Sequence, residues 1–348
     1  MKSLILCVFL ACTVSVVAQV SDGDPKKDAL CEKWKSIPLP AEASSLPKPA
    51  SFPTCDSYKL YSGIGGEIDF QAARNCAWSE RLAMKAEVQQ NSSDPISSVI
   101  GGSVILSQLY ANGEGVQKNL PLALRLACEK EASEELDAIE DLASRLEKPD
   151  SSIKKFRYCD HAMTTFSMNF CASYDAEVRD QQRSDELKQL SADWTQPQKE
   201  AFDLLIKSQA SYAIAHAQGE INTGGTIRGL MAIGSEQSLR DNFVEVLKAF
   251  EKGQLPQGSA ADASKSDSEL NELFRKDIAA SKKQKPDYGS PLPKGIQAAQ
   301  RAWLKYRDAW IAFAKLRYPT VSPDSWLTLL TNDRIAVLRD TYSEIGPD

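Results

Sequence analysis

Between Lys294 and Tyr318, the residues Ile296, Ala299, Trp303, Tyr306, Trp310 and Phe313 follow one another at intervals of 3, 4, 3, 4 and 3. In an α-helix that spacing places all six on one face, whereas a strand would throw successive side chains to opposite faces. Each large aromatic on such a stripe buries about 150–250 Å² against a neighbour. The spacing therefore predicts a long helix whose aromatic face is core. The same period recurs in Leu120, Ala123, Leu124, Ala127 and Cys128, and again in Leu136, Ile139, Ala143 and Leu146. No stretch alternates in the manner of a strand, so the expected fold class is all-α. A chain of 348 residues suggests two or three domains. With 42% hydrophobic and 25% charged residues, long disorder and collagen-like structure are excluded.

Lys2 precedes an apolar run from Leu4 to Val17, which gives way to Ser21-Asp-Gly-Asp24, and Val16-Val17-Ala18 offers the small residues that a signal peptidase requires. Residues 1–18 read as a signal peptide, since the run is shorter than the roughly 20 residues of a membrane span. The mature chain is expected to be periplasmic or secreted, with no stable membrane span.

Cleavage would leave Cys31, Cys55, Cys76, Cys128, Cys159 and Cys171. An even count in an exported chain reads as three disulfides. Helices on either side of Gly65-Gly66 would bring Cys55 level with Cys76. Cys159 and Cys171 would lie about 18 Å apart on one helix at 1.5 Å per residue. They can bond only if Cys159 folds back before a helix that starts near Thr164 or Thr165. Cys31 and Cys128 then pair by elimination. No CxxC motif occurs, so neither a metal site nor a cofactor is expected.

The remaining punctuation divides the chain. Residues 19–54 comprise a short helix with Cys31 and Trp34 and a linker from Lys35 to Pro53 that contains five prolines. Residues 55–148 are helical, with Asp69 as an N-cap. Lys252 to Ser266 reads as a second linker, and Ser281 to Lys294 as a loop. Thr195-Gln-Pro-Gln198 and Ser266-Asp-Ser-Glu269 fit capping boxes at helix starts. Gln209-Ala-Ser-Tyr212 and Gln300-Arg-Ala-Trp303 sit alike, each ahead of a further helix, which reads as two related helical hairpins.

Two resemblances follow from these residues. Ser103 to Ala127 resembles a Sel1-like repeat, a relative of the TPR, through Leu106, Leu109, Tyr110, Gly113, Gly115, Val116, Asn119, Ala123 and Ala127. It implies a helix–turn–helix capped by flanking helices. The stretch from Cys159 to about Tyr342 resembles the DUF1311, or LprI-like, family of small exported helical domains named for a lysozyme inhibitor. The residues that carry this likeness are Asp267, Leu270 and Asn271, then Gln300, Trp303, Arg307 and Asp308 in the AQRAW…YRDA helix, and the closing Arg334 and Leu338. The family often places a cysteine just after the RDA motif, where this chain has Trp310. The resemblance implies a helical bundle in two related halves, 155–251 and 262–345, and a wall-active enzyme such as lysozyme as protein partner.

The residues' own chemistry is quieter. A net charge of −6 argues against a nucleic-acid protein. With His161 and His216 the only histidines, most His-based catalysis is excluded. Gly219 to Gly229 lacks the Lys-Ser/Thr of a phosphate loop and reads as a turn. Arg307 is expected to pair with Asp267 or a neighbouring acid. No nucleophile pairs with a base, so no catalytic residue is assigned. The expected function is exported, non-enzymatic protein binding, with an envelope scaffold and a cell-wall hydrolase as the alternatives.

Overall fold

The computed structural model describes residues 25–45, 54–88, 102–129, 135–148, 154–283 and 289–345. The signal-peptide reading of residues 1–18 lies outside them. Every regular element among the described residues is helical.

The N-terminal region contains α1 (Pro25–Glu32), α2 (Glu42–Ser45), α3 (Ser57–Ser62), α4 (Phe70–Val88), α5 (Ser103–Asn112), α6 (Leu120–Ala127) and α7 (Glu135–Glu147). They enclose a core of Trp78, Ile105, Leu106, Leu109, Leu124, Leu126 and Ile139. Caps define the short helices. Asp56 accepts from Lys59 N at 3.0 Å to open α3, and Gly63, at φ 74°, closes it. Asp69 caps α4 through Ala72 N at 2.9 Å, and Asn119 caps α6 through Leu122 N at 3.0 Å.

All three expected disulfides are present. Cys55 and Cys76 join the α3–α4 hairpin with Cα atoms 6.0 Å apart. Cys31 and Cys128 clamp α1 to the end of α6 at 5.6 Å. Cys159 lies in a single 3₁₀ turn, Tyr158–His161, and Thr164 caps α8 (Thr165–Leu190). That fold-back brings Cys159 to Cys171 at 5.6 Å.

The segment that begins at Lys35 is more than a linker. Ile37 and Leu39 pack against the N-terminal core, and Ala43 on α2 is buried in it. Arg125 donates to the Lys35 carbonyl at 3.1 Å. Pro38 and Pro40 lie between α1 and α2 in this packed stretch, and residues 46–53 of the expected linker lie outside the described residues.

The second region is a bundle of long helices: α8, α9 (Gln196–Gly219), α10 (Arg228–Glu251), α11 (Ala260–Lys283), α12 (Pro293–Arg317) and α13 (Pro323–Ile345). At its centre α9 and α12 run antiparallel. Gln198 donates to the Leu316 carbonyl near one end, and Gly219 lies against Gly295 at the other. A Cβ on Gly219 would come within 2.7 Å of the Gly295 backbone, so this crossing requires glycine. α8 runs parallel to α10, tied by Arg183 to Asp241 and Lys248 to Glu186. α11 runs parallel to α13, with Ser266 Oγ donating to Asn332 at 2.7 Å.

The aromatic stripe is core. Trp303, Trp310 and Phe313 are buried. Trp310 stacks on Trp326 at 5.9 Å, and Phe313 lies 5.2 Å from both Trp194 and Phe202. Tyr306 is half-buried, and its hydroxyl accepts from Trp310 Nε1 at 2.7 Å. The Thr195 capping box is present, Thr195 N donating to Gln198 Oε1 at 3.0 Å. The box expected at Ser266 is displaced. α11 starts about two turns earlier, where Ser259 and Asp262 cap each other's backbone donors at 2.9 and 3.2 Å. Ser266 is interior to α11 and faces α13.

Trp303→Ala should destabilise the protein by about 3–5 kcal/mol in equilibrium denaturation, the range for deleting a buried aromatic. Peptide mapping without reductant should return the three pairs above; a peptide joining Cys55 to Cys128 would refute this arrangement.

Candidate functional site

The centre of the bundle is charged. On α13, Arg334 occupies a core position between Leu330 and Leu338, and 1% of it is exposed. Its guanidinium is bonded on every side. Nε donates to Gln300 Oε1 at 2.9 Å, Nη1 to Glu220 Oε2 at 2.7 Å and to Tyr212 Oη at 3.1 Å, and Nη2 to Glu220 Oε1. Glu220 follows the last residue of α9 and is equally buried; His216 Nδ1 lies 3.0 Å from its Oε2. Burial works to raise the Glu220 carboxyl. The Arg334 charge and hydrogen bonds, with those of His216, outweigh it and hold the carboxyl below its ordinary value.

Asp277 on α11 adds a second acid. It is wholly buried, and neither carboxylate oxygen has a hydrogen-bond partner among the described residues. Burial first, and the Glu220 charge second, push its carboxyl up to about 7, with Arg334 opposing. Asp277 is therefore neutral in mildly acidic solution. Sequence reasoning missed both Glu220 and Asp277. A signal existed for Asp277 and Arg334: each stands at a helical-core spacing among apolar residues, Asp277 seven after Leu270 and Arg334 four after Leu330.

The motif residues separate into two sets. Leu270 and Trp303 are buried together with Tyr212, Ile335 and Leu338, and Gln300 reaches Arg334 beside them. Asp267 and Asn271 lie at the surface, bonded to each other at 3.0 Å. The expected Arg307–Asp267 pair is absent. Arg307 pairs with its neighbour Asp308 at 2.8 Å, and its guanidinium lies 5.4 Å from the Trp303 ring centre. That ring and Asp308 hold the guanidinium along its own helix, while Asp267 is exposed and bonded to Asn271 instead.

Two grooves flank this centre. One, of about 250 Å³, lies between α10 and α13. Its floor includes Tyr212 and Tyr306, stacked at 5.7 Å, and its rim includes Asn242 and Asp333. The other, of about 420 Å³, opens between α8 and α9 over α10, with Leu187, Phe202, Ile206 and Phe243 below and Asp180, Lys188, Asp203 and Arg240 around it. Elsewhere Cys55, Cys76 and Glu80 lie close enough to share an ion, but both sulfurs are committed to a disulfide. His161 is paired with Asp141 at 3.2 Å. With every guanidinium nitrogen of Arg334 bonded internally, this centre pins helices together.

Fold and centre define an all-helical, disulfide-bonded protein with a long-helix bundle joined by a buried ion pair. Residues 252–338, which run from the approach to α11 into α13, match the family model described as Lysozyme inhibitor LprI, and this segment is an LprI-like domain. No curated protein and no solved structure matches the chain.

Glu220→Ala leaves Arg334 buried without its counter-charge and should cost about 3–5 kcal/mol. Asp277 behaves in the opposite sense. Its folded-state carboxyl is raised, so the native state retains a proton that the unfolded chain has lost, and stability falls as pH climbs from about 4 to about 7. Asp277→Asn should match the parent at pH 4 and exceed it at pH 8, by on the order of 2–4 kcal/mol, in denaturant titrations at the two pH values.

Proposed function

We propose that the protein is an exported, non-enzymatic inhibitor of lysozyme or of another wall-active enzyme, acting by steric occlusion of the partner's substrate cleft. The observation that carries this reading is the match of residues 252–338 to a family described as lysozyme inhibitors. Three disulfides support export, because such bonds persist outside the reducing cytosol. No described helix is long and apolar enough to cross a membrane.

Charge bears on how a basic enzyme would be met. Residues 252–338 carry 14 Lys and Arg against nine Asp and Glu, a net +5. Residues 19–154 carry 15 against 21, a net −6. Steering of a basic partner therefore comes from the N-terminal region, and the LprI-like segment binds at short range. The helical hairpin α5–α6, which resembles a Sel1-like unit, favours a second reading in which the N-terminal region is a scaffold for an envelope protein.

The test is lysozyme added to a cell suspension with the protein at stoichiometric dose. The expected result is suppressed clearing of turbidity that weakens as salt rises. Unchanged lysis at a large excess of the protein would refute inhibition of lysozyme.

A further inference from the structure

Nine large apolar side chains stand exposed among the described residues, and five of them gather at one end of the bundle: Met163, Phe166, Ile227, Met231 and Leu292. The topology makes this end a single surface. α8 and α10 both begin here, the Asn169 side chain lying against Gly229. α9 ends here, and Thr223 N donates to the Gly289 carbonyl at 2.8 Å, tying the α9–α10 turn to the approach to α12. α11 ends here at Lys283, and α12 begins with Pro293.

Three exposed lysines share the end: Lys282 and Lys283 on the last turn of α11, and Lys294 on the first turn of α12. None of the three is in an ion pair with a described residue. Apolar side chains and lysines are thus exposed together at the end of the bundle where α8, α10 and α12 begin and α9 and α11 end.

We propose that this end is a membrane-contact face, which docks onto a bilayer surface that contains anionic phospholipid. The apolar tips are spread over the ends of several helices, and neither groove of the bundle is lined by them. A rigid protein partner needs a pocket or a packed central patch to gain from such residues. A fluid lipid surface accepts them one at a time, at the boundary between headgroups and acyl chains. Met163 and Met231 have unbranched, adaptable side chains suited to that boundary. The lysines keep their ammonium groups at headgroup level while their stems lie along apolar surface. Positive charge on the docking end complements the anionic headgroups. The protein lies on the surface, since no described helix is long and apolar enough to span. This inference stands apart from the inhibitor reading, because it uses none of the groove or centre residues.

The experiment is co-sedimentation of the chain, as recovered after export, with vesicles of phosphatidylcholine alone or mixed with phosphatidylglycerol, at low and high salt. The protein should pellet with the mixed vesicles at low salt and stay in solution in the other three conditions. Lys282→Gln, Lys283→Gln and Lys294→Gln should each weaken binding about fivefold. Phe166→Ser with Met231→Ser should abolish pelleting without lowering the thermal midpoint, because both side chains are exposed. A parent protein that stays in solution with mixed vesicles at low salt overturns the proposal. So does binding indifferent to the three lysine substitutions, or self-association that Phe166→Ser removes while the vesicles go unbound.

Discussion

Arg334 is enclosed by protein, and a buried cation persists only where an equally buried group neutralises and bonds it. Glu220 meets that need, and its position gives the pair its importance. Arg334 belongs to the LprI-like segment at 252–338, whereas Glu220 lies at the end of α9, outside the matched residues. Tyr212, which also accepts from Arg334 and stacks on Tyr306, lies on α9 as well. The matched segment therefore does not contain the groups that complete its own core. Cut at residue 252, it would bury an unpaired guanidinium and expose the α12 face that α9 covers. The core around the matched segment is therefore completed by α9, which lies outside it.

The central pair of helices explains how that core is assembled. α9 and α12 cross at Gly219 and Gly295, so the backbones come closer than any side chain would allow. Close approach there brings Glu220, at the α9 terminus, down to the level of Gln300 and Arg334. The polar centre and the glycine contact are thus one construction. The aromatic cluster of Trp194, Phe202, Trp310, Phe313 and Trp326 fills the opposite half of the same interface. One end of the bundle is held by apolar area and the other by a bonded charge.

Legibility in the sequence follows this division. The aromatic stripe of α12, the caps at Asp69, Thr164 and Thr195 and the Cys55–Cys76 and Cys159–Cys171 bonds could be read because each rests on local spacing or on the closure of a short loop; Cys31–Cys128, which joins residues 97 apart, followed from those two by elimination. The start of α11 differs from the expectation because two successive capping patterns, Ser259 to Asp262 and Ser266 to Glu269, satisfy the same local rule. Packing against α13 decides between them. Arg307 was misassigned for a related reason: sequence shows that it flanks an aromatic face, but not that the ring of Trp303 would hold it on its own helix. Glu220 lies 114 residues from Arg334, and no periodicity links an acid in a glycine-rich turn to a guanidinium on the last helix.

Cross-links are concentrated where the helices are short. None of the chain's eight cysteines lies beyond Cys171, and six of them form the three disulfides. They staple the region where α1, α2, α3 and α6 run to 8, 4, 6 and 8 residues, lengths at which an isolated helix is marginal in water. Joining residues 97 apart, as Cys31–Cys128 does, removes much of the unfolded chain's freedom, and that offsets the marginal stability of such short helices. α9 to α13 run to 23–25 residues and bury Phe202, Phe243, Phe250, Trp310, Phe313 and Trp326 in one cluster, so they need no covalent help. Thiol chemistry therefore reaches one half of the molecule. Proton chemistry, through Asp277, reaches the other.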